Sequence, residues 1–325
     1  MTYSIAIRTL ATNADVLRVE LESITRQTVK PDKVKVYIAE GYDRPEFTVG
    51  DEEYVWVKKG MVAQRALRYD DIDSDVILLL DDDVELAADS AERMLNAMRE
   101  HGVDCVAADT FKNQELTARQ KIMAFLSNGV VPRCDDGWAF KLMRNGSFSY
   151  NNGPKESFCL TETFAGPCWM IKKPVLKAVR LEDELWMERM EFAYGDDAVE
   201  SYKIFANGFK SGVLYDSGVK NLDAKTSSSG YHSNVRKYYT RSYGQFVAWW
   251  RMVYESRDAR CLSVLQFSLK AMWQIAMHAA IAVMSRDKAV LANCIKGLND
   301  AMEYVHSEEY KRVPSYVKQA LNFKV

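Results

Sequence analysis

Residues 76–86 read VILLLDDDVEL, and the fold turns on this stretch. Five consecutive apolar residues, Val76 to Leu80, suit a strand covered on both faces. Three carboxylates follow at once: Asp81, Asp82 and Asp83. Adjacent like charges at the end of a buried strand are costly unless a cation or hydrogen-bond donors offset them. Strand alternation directs Asp81 and Asp83 to one side and Asp82 to the other. Two same-side carboxylates can hold a hard divalent cation through oxygen, with substrate phosphates completing the shell; Mn2+ or Mg2+ suits that donor set. The competing reading is a solvated acidic turn capping the next helix. The buried strand ahead of it tips the choice toward a site.

Upstream, strand and helix patterns alternate. Ser4 to Thr9 reads as a buried strand. Asn13 caps a helix whose apolar face is Leu17, Leu21 and Ile24. Lys33 to Ala39 and Tyr54 to Val57 read as strands, and Met61 to Tyr69 as a helix. Downstream, Asp89 with Glu92 forms a capping-box pattern, Gly102 stops that helix, and Val103 to Asp109 is the next strand. This pitch implies an α/β fold with a mostly parallel sheet. Ligands in such sheets sit beyond the carboxyl ends of the strands, which directs attention to Thr9, Glu40 and the acidic triplet.

Residues 110–160 lack clean periods and read as an excursion carrying acceptor-side loops. An α/β pattern resumes at Thr161, with a helix starting at Pro174, another over Ala198 to Ala206, and a strand over Lys210 to Tyr215. Gly195-Asp196-Asp197 stands at the start of the second helix. Its plain reading is an N-cap; beside a metal site, one of these acids becomes a candidate general base. Residues 223–231 read as a polar loop, and the chain is helical from there on. Two domains are expected: 1–232, binding and catalytic, and 233–325, a helical annex.

The chain has 325 residues, 48% hydrophobic and 27% charged, with a formal net charge of −2. That balance excludes disorder and a global hold on nucleic acid. Six cysteines show no CxxC or zinc-like spacing, so they read as reduced thiols. The N-terminus does not read as a signal peptide. The longest apolar stretch, Leu262 to Met284, carries Gln266, Lys270, Gln274 and His278, so it reads as amphipathic rather than spanning. The helix with Tyr238, Tyr239, Tyr243, Phe246, Trp249 and Trp250 reads first as core. Its second reading is a platform for acceptor sugars or lipid headgroups.

Four blocks together resemble the family 2 glycosyltransferases, which have the GT-A fold. They are SIAIRTLATNADVLRVELESITRQT with KVKVYIAEG, KKGMVAQRALRYDDIDSDVILLLDDDVEL, FAGPCWMIKKPVL, and YGDDAVESYKIFANGFKSGVLY. The resemblance spans roughly residues 3–222. It implies an inverting transfer of one sugar from a nucleotide-diphosphate sugar, UDP-sugar ahead of GDP-sugar, to a glycan or lipid-linked acceptor. Surface polysaccharide synthesis is the expected setting. It implies that Thr9 and Glu40 contact base and ribose, that Arg65 lies near the base or diphosphate, and that Asp81 and Asp82 serve the donor. Asp83 would be the main metal ligand, with Asp81. Asp197 would be the catalytic base, beside Asp196. Gly166 and Trp169 would line the acceptor side.

The sequence departs from the family's pattern where a metal- or phosphate-binding His is common. Asn221 stands there, with Asp223 or His232 as substitutes. The QxxRW motif of processive synthases is absent. Alternatives are a sugar nucleotidyltransferase, which would need a Gly-rich phosphate loop where TLATNAD stands, a metal-dependent nuclease, and a non-catalytic nucleotide- or glycan-binding protein. The expected location is cytoplasmic, peripheral at the inner face of the membrane through the C-terminal helices.

Overall fold

The computed structural model describes residues 1–110, 137–151, 154–190, 195–222, 234–256 and 259–316. Among these, an eight-stranded sheet forms the centre. Its strands in chain order are β1 (Tyr3–Thr9), β2 (Val34–Ala39), β3 (Glu52–Val57), β4 (Val76–Asp81), β6 (Cys105–Ala108), β9 (Phe158–Thr161), β10 (Cys168–Lys172) and β11 (Ser211–Leu214). Their order across the sheet is β3-β2-β1-β4-β10-β6-β11-β9. The pairs β1–β2, β1–β4, β2–β3 and β6–β11 are parallel. Strand β10 runs antiparallel between β4 and β6, and β9 runs antiparallel to β11. With β9 and β10 running against their neighbours, a purely parallel order is not reached.

Both faces of β4 are covered, as its unbroken apolar run requires. Val76, Leu78 and Leu80 enter one core with helices α1 (Ala14–Thr25) and α3 (Ser90–Glu100). Ile77 and Leu79 enter the opposite core with Trp169, Val175 and Leu176. Each such side chain contributes about 1.5–3 kcal/mol by leaving water. Asn13 accepts from the Val16 amide and caps α1, as its spacing predicts. The capping box at α3 does not form. Asp89 instead pairs with Arg93 at 2.7 Å, and Glu92 accepts from Thr28 at 2.7 Å. Helix α2 (Met61–Arg65) is shorter than the predicted 61–69 element. The chain leaves helical geometry after Arg65, and Tyr69 turns left-handed (φ 49°) to stack edge-on with Tyr37.

A short ladder lies at the rim: β5 (Val84–Leu86) pairs with β12 (Val219–Asn221). A hairpin, β7 (Phe140–Leu142) with β8 (Phe148–Tyr150), projects from the excursion. Helix α4 (Lys173–Val179) follows β10 with Pro174 in its first turn. A 3-10 helix (Leu181–Arg189) and α5 (Asp196–Ala206) come next.

The annex holds α6 (Lys237–Trp249), continued as a π-helical turn to Tyr254, then α7 (Arg260–Ser285), α8 (Ala289–Val305) and α9 (Glu308–Lys311). The expected boundary at 232 falls outside the described residues. On either side of it, one core is shared. Val62, Trp186, Met187, Val199 and Tyr202 pack with Tyr243, Val247, Trp249 and Tyr304. The aromatic helix therefore serves the core, against the 3-10 helix and α5 rather than the sheet. Glu184, fully buried, pins this seam: it meets Lys203 at 3.1 Å and Arg251 at 2.6 Å, and accepts from Trp186 at 2.7 Å. Those cations hold its carboxyl below the usual range although burial pushes it up.

Helix α7 carries much of its apolar surface outward. Its buried residues are Ser263, Phe267, Lys270 and His278. Its outward face shows Leu265 (56% exposed), Leu269, Met272, Val283 and Met284 (77%). By length and composition it could cross a membrane, yet Ser263, Lys270 and His278 face the protein, while Gln266 and Ser268 are exposed.

Candidate active site

The carboxyl ends of β1 and β4 lie side by side, with Arg8 paired in register to Asp81. The Asp81 amide donates to Pro167 O (2.9 Å), so the turn before β10 closes over the same edge. That turn is fixed from below by Ser201 of α5. Its hydroxyl accepts from the Phe164 amide (3.1 Å) and donates to Asp197 O (2.6 Å). Gly166 then rests directly on Asp197: a Cβ at Gly166 would overlap that carboxylate. Gly195, with φ 74°, caps α5 and sets Asp196 and Asp197 in its first turn. Two acidic motifs separated by more than a hundred residues thus meet at one rim.

An arginine joins them. Arg65, at the end of α2, donates to Asp81 Oδ2 at 3.0 Å and through Nη1 to both Asp196 and Asp197. Helix α2 is aimed by Glu188, which accepts from the Val62 and Ala63 amides at 2.7 Å each. Gln64 also ties it to Thr9 O at 3.1 Å. Arg8 lies almost fully buried on the other side and donates to Asp81 Oδ1 at 2.7 Å and to Gly166 O at 3.2 Å.

The acidic triplet therefore divides differently from the strand-alternation expectation. Strand β4 ends at Asp81, and Asp82 and Asp83 occupy a turn, so period-two geometry does not reach Asp83. Asp81 is offset by two arginines of the protein itself, which corrects its expected place beside a cation. Asp82 accepts from Thr9 Oγ1. Burial, reinforced by Asp81 and Asp83, pushes its pKa up to about 6 against the pull of Thr9. Asp83 is half-buried, and its carbonyl accepts from the Leu222 amide at 2.7 Å. Asn221 pairs with Val84 in the β5–β12 ladder, so the last strand brings it to the triplet. Asp223 and His232 lie outside the described residues.

Glu40 is exposed just past β2, its amide bonded to Val57 O at 2.8 Å. Trp169, expected at the acceptor side, is 2% exposed and packs with Phe164 inside the second core. Strand β10 is covered on both sides, so its indole faces no cleft.

Three buried residues escaped the sequence reading. Arg8 is one. Glu200, one turn beyond Asp196 on α5, is 3% exposed. Burial pushes its pKa up to about 8, with Asp196 and Asp81 adding and Arg65 and Arg8 opposing. Glu20 of α1 is wholly buried; burial and then Asp82, Asp83 and Asp81 push its carboxyl well above the usual range. Only Glu20 carried a signal, since a charge on the helix stripe of Leu17, Leu21 and Ile24 breaks its pattern.

For a divalent cation, the turn supplies oxygen donors at Asp82 and Asp83, with Asn221 adjacent. Among the described residues no group of three or more His, Cys, Asp or Glu side chains is arranged to hold a metal. The set fits an open site of one or two carboxylates that substrate phosphates complete, and does not fit a closed protein cage.

Residues 57–180 match the model of glycosyl transferase family 2. The matched stretch carries α2, the acidic turn and the Gly166 loop, and excludes Asp196 and Asp197. The fold is similar to that of TarS from S. aureus in complex with UDP-GlcNAc, at 12% identity and TM-score 0.57, covering 94% of this chain and 82% of that one. It is also similar to GalNAc-T7 with UDP, GalNAc and Mn2+, at 11% identity and TM-score 0.50, covering 88% of this chain and 58% of that one. No curated protein matches the chain. The architecture is the GT-A type expected from the sequence, a mostly parallel sheet with flanking helices and a C-terminal helical annex. At these identities the likeness speaks to fold.

Proposed function

We propose that the protein is a glycosyltransferase that takes a sugar from a nucleotide-diphosphate donor, a UDP-sugar ahead of a GDP-sugar, and passes it to a hydroxyl of a glycan or lipid-linked acceptor with inversion. The observation that carries this reading is the meeting of Asp81–Asp83 with Asp196–Asp197 at one sheet rim through Arg65. The family match over 57–180 and the nucleotide-bound neighbours support it. Thr9 and Glu40 would serve the base and ribose, Thr9 by holding Asp82 through its hydroxyl. Asp197 would take the proton from the attacking hydroxyl, once Arg65 turns toward the donor's phosphates. Arg65 and Arg8 would then offset the charge gathering on the leaving diphosphate. Gly166, lacking a side chain, lets its loop rest on Asp197 without displacing the carboxylate. Mn2+ or Mg2+, held by Asp82 and Asp83 with Asn221 adjacent, would supply further charge neutralisation at the diphosphate. Surface polysaccharide assembly is the setting we infer.

The test is thermal shift and nucleotide release with UDP- and GDP-sugars, with and without Mn2+. Stabilisation by one nucleotide with metal, together with its release on turnover, is the expected result. No shift with any nucleotide would overturn the reading. One observation favours a second reading, a non-catalytic binding protein on this fold: Asp81, Asp196 and Asp197 are all paired with arginine. Nucleotide binding without release would select it.

The protein would work at the cytoplasmic face of a membrane. Helix α7 supports this: it holds no Asp or Glu over its 26 residues, shows an apolar outer face, and has Arg260 at one end and Arg286 and Lys288 beyond the other. Such a helix, about 40 Å long, suits an anionic lipid surface lying in its plane.

A further inference from the structure

Behind the acidic rim lies a cavity of about 230 Å³ that none of the roles above uses. Its wall includes Ser147 and Phe148 of the β7–β8 hairpin, Gln245 and Met252 of the annex, Gly195, and Lys270 of α7. Gly195 directly precedes Asp196 and Asp197, so the cavity adjoins the proposed base.

Two of its polar groups are poorly satisfied. Lys270 is 9% exposed, makes no ion pair among the described residues, and donates one long hydrogen bond, to Asn145 O at 3.3 Å. The Ser147 hydroxyl is buried with no partner. A buried ammonium without a counter-ion is costly, and a buried hydroxyl left unpaired adds to the cost. The nearby charges do not relieve it. Burial, then Arg241 of α6, pushes the Lys270 pKa down to about 7, and the same two causes push His278, two turns further along α7, down to about 4. At a pKa of about 7, Lys270 is about half protonated at neutral pH, so an anion in the cavity would draw it to the ammonium; the space is large enough for one charged group on a sugar ring or chain.

We propose that this cavity is a subsite for an oxyanion carried by the acceptor, a carboxylate or a phosphate, held by the Lys270 ammonium and the Ser147 hydroxyl. An anion there would supply the missing counter-charge and accept from both donors. The inference rests on the transferase reading for the word acceptor, but the anion site stands on its own geometry.

The experiment measures binding of inorganic phosphate, glucuronate and glucose to the full chain by calorimetry at pH 7, with UDP and Mn2+ titrated on the same preparations. The variants are Lys270→Met, which keeps the length of the buried chain, and Ser147→Ala. Phosphate or glucuronate is expected to bind and glucose not; the stronger of the two anions identifies the source. Binding should weaken at least about tenfold in Lys270→Met and about threefold in Ser147→Ala. UDP binding should be unchanged in both. Equal anion binding by the parent and both variants, or none by the parent, overturns the subsite. Absence of UDP binding by the parent would instead strike the transferase reading and leave the anion result standing.

Discussion

Glu200 offers the sharpest physical test of the rim. Its carboxyl is buried, and its pKa is raised from 4.5 to about 8, first by burial and then by Asp196 and Asp81, against the charges of Arg65 and Arg8. The folded protein therefore keeps a proton that the unfolded chain has lost above pH 4.5. That stabilisation is complete below pH 4.5 and is lost as pH rises through 8. The raised value spans roughly 3.5 units, worth about 5 kcal/mol in all and about 1.4 kcal/mol per unit. Glu200→Gln keeps the shape of the protonated acid and cannot ionise. Urea melts of parent and variant by tryptophan fluorescence at pH 5.5, 7.0 and 8.5 remove the contribution of other groups by difference. The variant should gain about 3 kcal/mol on the parent between pH 5.5 and 8.5. Parallel curves, with a difference constant to about 0.5 kcal/mol, would refute the argument that this acid is neutral in the fold.

Asp197→Asn should keep UDP binding and lose transfer by a factor of about a hundred or more, read by nucleotide release at saturating donor; transfer at the parental rate would remove Asp197 as base. Gly166→Ala should cut transfer by at least about tenfold while the far-UV spectrum stays parental, because the added methyl displaces the Asp197 carboxylate; unchanged kinetics would show that the carboxylate is not held there. Arg251→Met should destabilise by about 3–5 kcal/mol in urea melts, since Glu184 loses a buried partner at 2.6 Å. A Leu265→Glu, Leu269→Glu pair should abolish sedimentation with phosphatidylglycerol vesicles and spare UDP binding; equal sedimentation, or none by the parent, would remove α7 as a membrane surface.

The amino-acid order alone determined the strand alternation, the buried β4 and the acidic turn after it, because these depend on local period and on charge beside an apolar run. It also placed Asn13 as a cap and Pro174 at a helix start, both effects within one turn. Two local rules failed for local reasons: the Asp89 capping box lost to the Arg93 ion pair and Thr28, and the predicted 61–69 helix ended at Arg65. Only the tertiary structure decided which charges meet. Arg8 and Glu200 sit 192 positions apart; β1–β4 pairing brings Arg8 to Asp81, and α5 carries Glu200 within range of its charge. The same holds for Trp169, whose burial follows from β10 entering between β4 and β6, a crossover no periodicity records. The polar inner stripe of α7 became informative only once packing fixed which side faced the protein. Helix period gives a stripe, while its direction is settled by partners far along the chain.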